Sequence, residues 1–136
     1  MKKRILLDAR MIGEVTHGIA QYTIDIFTGI EKLYPQEQRN YEIELLVDPK
    51  IFPLEIKEQT KWKIQFSQQK FLSQSEIFKL RPEIFHIAPD YFHTPSFSSL
   101  LSYSCPHLQT IHDLNHLHFG SFSKKIYYRT LVRQSM

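Results

Sequence analysis

The sequence predicts an α/β protein built on a three-layer, doubly wound parallel sheet. Short β-type apolar runs alternate along the chain with stretches of helical period, at the spacing of strand–helix–strand units. The first run, Ile5-Leu6-Leu7, is apolar at consecutive positions, which is the pattern of a strand covered on both faces.

"RILLDAR", 4–10, is the first expected strand. From Ile19 to Leu33, apolar residues at 19, 22, 26, 27, 30 and 33 follow a helical period that stops at Tyr34-Pro35. "YEIELLVD", 41–48, alternates and then becomes a buried run, with Pro49 and Pro53 as punctuation. "KWKIQFS", 61–67, alternates through Trp62, Ile64 and Phe66. "QSEIFKL", 74–80, is expected as a short helix ahead of Pro82. "EIFHIA", 83–88, is expected as a fourth strand and "HLQTIHD", 107–113, as a fifth. Ser123 to Met136 has helical character, and 88–106, rich in Pro, Ser and Tyr, is the longest irregular stretch. Loops of that length are often functional.

In an open parallel sheet, ligands bind at the carboxyl ends of the strands. Four segments are expected at that edge: Asp8-Ala9-Arg10 with the loop to Gly18, Asp48-Pro49, Ala88 to Pro95, and His112-Asp113.

A chain of 136 residues makes one domain, and 42% hydrophobic with 23% charged residues is ordinary globular composition. A net charge of +3 tolerates phosphate groups without demanding nucleic acid, and no nucleic-acid partner is expected. The single Cys105 excludes an internal disulfide and a thiolate-rich zinc site. The basic start "MKKR" is followed by only three apolar residues before Asp8, far short of a signal peptide or a membrane span. The expected location is the cytoplasm.

"QTIHDLNHLHFG", 109–120, sets three histidines and an aspartate within seven positions. His112-Asp113-Leu114-Asn115-His116 is close to the H-E-x-x-H helix of a zinc protease. That site needs a helix, a long Glu as base and a third ligand. Here "HLQTI" favours a strand, Asp113 is shorter than Glu, and Phe119 and Phe122 replace the glycine and third histidine of the extended signature. No Glu follows Glu83, so no metal site is expected. His112 is placed instead at a strand end, where an imidazole can hydrogen-bond a sugar hydroxyl or, when protonated, a phosphate oxygen. The plainer role, satisfying a buried backbone carbonyl, stays open beside it. His116 and His118 are expected in the outgoing loop.

Gly13 and Gly18 are spaced as in a phosphate-binding G-x-x-x-x-G-K-[ST] loop, but Ile19 and Ala20 stand where Lys and Ser or Thr are required. The dinucleotide fingerprint G-x-G-x-x-G is absent as well. What survives is a loop entering a helix amino terminus, whose free N–H groups suit an anion or a polar substrate. An ordinary strand-to-helix turn is the alternative.

Three stretches together resemble the amino-terminal domain of retaining GT-B glycosyltransferases of the large family-4 type. "ILLDARMIGEVTHGIAQYTIDIF" is similar to the family's opening strand, D-A-R, and G-I-x-x-Y turn into the first helix. "EIFHIAPDYFHTP" is similar to its aromatic- and proline-containing strand and loop. "LQTIHDLNHLHFGSFSKKIYYRTLVRQSM" is similar to its T-x-H-D-L-x-x-L-x-F strand end followed by Y-Y-R-x-L-x-R. The likeness spans nearly the whole chain, with 41–80 least distinctive.

The resemblance implies a Rossmann-like domain over 1–136, the acceptor-side half of a GT-B enzyme. The family's second, nucleotide-binding domain, with its paired glutamates and basic residues, has no counterpart here, so this chain is expected to be inactive alone. The implied reaction moves a sugar from a nucleotide-sugar donor to a saccharide or lipid-linked acceptor of polysaccharide or glycolipid synthesis, with retention. It needs no metal and no cofactor, since the nucleotide-sugar is a substrate. Gly18, His17 and Ile19 would line the donor diphosphate side. His112 would contact the donor sugar and Asp113 would orient the turn. Tyr91, His93 and Pro95 would belong to the acceptor wall, with Arg10 also on the substrate side.

Lys125, Arg129 and Arg133 recur every four residues in the last stretch. A basic helical face of this kind can lie on the anionic inner surface of a membrane, though a solvated face on a packed helix is the plainer alternative. The rival to an enzyme is a non-catalytic α/β module that binds an acceptor, a lipid or a protein. A reading frame continuing past Met136 into a nucleotide-binding half would separate the two.

Overall fold

A computed structural model describes residues 2–13, 17–59, 62–96 and 104–112, together with Ile126 and Arg129. Along these run β1 (Lys3–Asp8), α1 (Gly18–Leu33), a 3-10 turn (Gln36–Gln38), β2 (Tyr41–Val47), α2 (Leu54–Gln59), β3 (Lys63–Phe66), α3 (Glu76–Ile87), β4 (Tyr91–Thr94) and β5 (His107–Gln109). The five strands form one sheet in the order β3-β2-β1-β4-β5, and every pairing is parallel. The fold is the expected α/β, Rossmann-like one.

The alternation of side chains along β1 and β2 explains why both faces are covered. Leu7, Ile43, Leu45 and Val47 point to one side, where Ala20 and Phe27 of α1, Trp62 and the half-buried Ile56 of α2 complete a core. Leu6 and Leu46 point to the other, where Leu80 and Ile84 of α3 and Phe92 of β4 close a second core. Burying Leu6, Leu45 and Leu46 completely contributes roughly 2 kcal/mol per side chain relative to exposure.

On the α3 side, polar groups fix the register. The Arg4 guanidinium meets Glu44 through two bonds of 2.7 and 3.1 Å. Its Nη1 also donates to the carbonyls of Ile87 and Ala88, at 3.0 and 3.3 Å. A cation at the carboxyl end of α3 both satisfies open carbonyls and complements the helix dipole. Burial works against the Glu44 charge, yet its bonds from Arg4 and Gln65 hold the carboxyl below the usual carboxylate range.

Two expectations fail between Gln74 and Pro95. Residues 83–88 are not a strand: α3 runs from Glu76 to Ile87 straight through Pro82. Leu80, Ile84 and Ile87, spaced four and three apart, make one stripe against the sheet. Pro82 lies on the exposed side, so the carbonyl it leaves unbonded, four residues earlier, faces water. Such a proline costs stability without breaking the helix. The fourth strand is instead Tyr91–Thr94, inside the stretch expected to be irregular. Ala88 ends α3 in the left-handed conformation, at φ 51°. Asp90 then ties the start of β4 to β1 by accepting from the Arg4 amide at 2.9 Å.

The fifth strand is present but shorter than expected, at His107–Gln109. The short helix α2 has no counterpart in the sequence reading. Of the expected last helix, Ile126 and Arg129 are helical and exposed, while Lys125 and Arg133 lie outside the described residues.

Candidate functional site

The strand order reverses direction at β1. The chain moves outward through β2 and β3, then returns to the other side of β1 for β4 and β5. The carboxyl ends of β1 and β4 therefore lie at the point from which the connections diverge, the position where open α/β sheets hold ligands. The residues at this rim are Asp8 to Ile12 after β1, Thr94-Pro95-Ser96 after β4, and Thr110 to His112 after β5.

His112 is exposed, and its Nε2 lies 2.8 Å from the Pro95 carbonyl. A carbonyl only accepts, so Nε2 carries the proton in this bond and a neutral ring presents Nδ1 as an acceptor. The plain role considered for this histidine, bonding a backbone carbonyl, is thus real and leaves the other nitrogen uncommitted by that bond. The segment 110–112 is not helical, which removes the metalloprotease geometry for His112.

Tyr22, one turn into α1 from Gly18, meets His112 edge-on with ring centroids 4.6 Å apart and planes at 87°. The amino end of α1 and imidazole 112 are thus neighbours. The first turn of α1 holds no acidic residue, and its N-cap, His17, makes no side-chain capping bond. Gly18 is exposed, and a Cβ built there would meet nothing within 4 Å. Its glycine is required neither by packing nor by a positive φ; it keeps the helix end bare at the rim.

His93, near the end of β4, faces α1. Its Nε2 lies 3.0 Å from Thr110 Oγ1, which is in turn 3.3 Å from the Tyr22 hydroxyl. Burial pushes the His93 imidazole below its ordinary value, and Asp8 offsets only part of that. His93 therefore sits neutral at the rim at pH 7. At the rim, Ser96 is buried and its Oγ has no hydrogen-bond partner among the described residues.

Arg10, expected on the substrate side, follows β1 at the rim with its side chain buried. It is fully buried, bonding Asp8 through Nε at 2.9 Å and Nη2 at 2.8 Å, and Glu76 through Nη1 at 3.2 Å. Burial opposes its charge, but Asp8 and Glu76 more than compensate and raise its pKa. The cluster anchors the amino end of α3, where Glu76 Oε2 also accepts from the Leu72 amide at 3.1 Å. Tyr91 is exposed and pairs with Ile5 at the start of β4, roughly 10 Å of strand below the rim. The structure thus brings Gly18, His17, Ile19, His93, Pro95 and His112 to one edge, buries the Arg10 side chain in an ion cluster there, and leaves Tyr91 at the other end of β4. Asp113 lies outside the described residues.

Two rim residues escape the sequence reading. Tyr22 passes as one more core position of the α1 stripe, and Thr110 as a strand residue. The signal available was spacing: Tyr22 follows Gly18 by one helical turn, and Thr110 shares a face with His112 in extended chain. Among the described residues, no group of three or more His, Cys, Asp or Glu is placed to hold a metal ion. Comparison of the chain with protein-family models, curated proteins and solved structures finds no match.

Proposed function

We propose that this chain is the acceptor-side half of a retaining glycosyltransferase of the GT-B type, which moves a sugar from a nucleotide-sugar to a saccharide or lipid-linked hydroxyl. One observation supports this above the rest: the uncapped amino end of α1 and the exposed imidazole of His112 stand together at the strand-order reversal, joined through Tyr22. The two offer complementary recognition. Amide N–H groups at a helix start suit the donor diphosphate. The imidazole, its Nε2–H held by the Pro95 carbonyl, offers Nδ1 to a sugar hydroxyl.

In this reading Gly18, with His17 and Ile19, stabilises the charge that grows on the departing diphosphate. His112 orients the donor sugar, with Asp113 proposed to hold its turn. His93 and Pro95 belong to the acceptor side. A nucleotide-binding domain supplies the remaining donor contacts. No metal or cofactor enters the scheme.

Amide shift mapping with UDP-glucose at millimolar concentration tests the proposal. The expected shifts fall on residues 17–22 and 110–112 and shrink in His112→Ala. An unresponsive rim, or shifts gathered around Asp90 and Tyr91, would remove the reading. The lipid-linked acceptor and the inner membrane face are proposed on Lys125, Arg129 and Arg133. Co-sedimentation with vesicles should then rise with anionic lipid content, and equal binding to neutral vesicles would dispose of that contact. No helix among the described residues is long and apolar enough to cross a membrane.

A further inference from the structure

Thr110 Oγ1 stands between two partners, His93 Nε2 at 3.0 Å and the Tyr22 hydroxyl at 3.3 Å. A hydroxyl gives one proton but can accept two, so the three groups have three consistent donor orders. In the first, Tyr22 donates to Thr110 and Thr110 to His93, which then carries its proton on Nδ1. In the second, His93 donates from Nε2 to Thr110 and Thr110 donates to Tyr22. In the third, His93 and Tyr22 both donate to Thr110, whose own proton points away from both. A Tyr22 hydroxyl that accepts therefore requires His93 to be protonated on Nε2, and a His93 protonated on Nδ1 requires Tyr22 to donate.

The same tyrosine constrains the second histidine by a different route. His112 is exposed and follows a three-residue strand. Its bond to the Pro95 carbonyl fixes one nitrogen but does not by itself set the plane of the ring. The edge-on contact with Tyr22 favours one plane, since perpendicular aromatic pairs have a preferred geometry. Tyr22 itself rides on α1, whose core side is locked by Ala20, Thr23 and Phe27. Its position is thus set by the main core.

We infer that Tyr22 is the positioning residue of this rim: its ring sets the plane of His112, and its hydroxyl, acting through Thr110, biases the proton position on His93. The inference rests on the proposed sugar-transfer reading only for the ligand that His112 would receive; the coupling belongs to the protein without any ligand.

Long-range proton–nitrogen spectra of histidine-labelled protein at neutral pH report which ring nitrogen bears the proton. In the wild-type chain, His112 is expected to show the Nε2–H pattern. Tyr22→Phe keeps the ring and loses the hydroxyl, so His93 should change while His112 does not. Thr110→Val should reproduce the His93 change. Tyr22→Leu should alter both, with the His112 nitrogens moving toward an average of the two tautomers. An unchanged His112 in folded Tyr22→Leu, or an unchanged His93 in Tyr22→Phe, overturns the inference. If Tyr22→Leu does not fold, Tyr22→Phe and Thr110→Val decide it: unchanged His93 nitrogens in both refute it, and matched changes sustain it. Adding UDP-glucose to wild-type protein separates the two proposals. A His112 signal blind to the nucleotide-sugar defeats the sugar reading and leaves the positioning role intact.

Discussion

His112 and His93 show how one residue type takes two tasks on one rim. His112 is exposed with one nitrogen committed to a carbonyl, whereas His93 is half-buried and bonded to a hydroxyl. In a full-length enzyme of the proposed kind, His112→Ala should lower turnover by at least about tenfold while the thermal midpoint stays put; near-normal turnover would remove its proposed role. His93 makes a different prediction. Its folded pKa lies below its ordinary value of 6.5 because burial disfavours the charge. The unfolded chain therefore takes up the proton first as pH falls. Stability from the neutral ring is complete above that value and is lost as pH drops toward the folded pKa. The urea midpoint should fall between about pH 7.5 and pH 5.5, and fall less in His93→Gln. Because His107 is also depressed by burial, the difference between variant and wild type is the quantity that reports on His93.

Among the elements, α3 explains both what the sequence conceals and how the rim is supported. Pro82 suggested a helix end, and "EIFHIA" has enough β-type residues to pass for a strand. The helical stripe Leu80-Ile84-Ile87 spans the proline, and packing on Leu6, Leu46 and Phe92 overrides the local signal. β4 was missed for the converse reason: four residues, half of them aromatic, follow Pro89-Asp90 and look like loop. Pro82→Ala should restore one backbone bond and raise stability by about 1–2 kcal/mol, after the proline's effect on the unfolded chain is deducted. An unchanged denaturation midpoint would mean that α3 has already adapted. At its amino end, α3 is fastened by Glu76 to the fully buried Arg10 and Asp8. Arg10→Leu would leave two buried carboxylates without their guanidinium. A loss of about 3–5 kcal/mol in urea denaturation is expected. A loss below about 1 kcal/mol would mean that the carboxylates reach water.

For the whole molecule, the alternation of runs was sufficient to anticipate an α/β parallel sheet, because strands covered on both faces and amphipathic helices leave different periods in sequence. It was not sufficient to locate every ligand-edge residue. Ala88 to Tyr91 were expected at the carboxyl edge only because the fourth strand was placed eight residues early; the correct strand puts them at the opposite end and brings Thr94-Pro95-Ser96 to the rim. The positions of Gly18 and His112 were legible, because Gly18 opens a helix whose period was visible and His112 lies just past a strand that was. Tyr22 and Thr110 were not, since their roles arise from a meeting of α1 with β5 across 88 residues of chain.

The central claim is that a nucleotide-sugar lies across α1's amino end with its sugar ring against His112. Intermolecular NOEs from UDP-glucose to the protein measure this directly. Contacts between sugar ring protons and the His112 imidazole protons are expected. Sugar contacts only to residues at the amino ends of the strands, such as Tyr91, would contradict it.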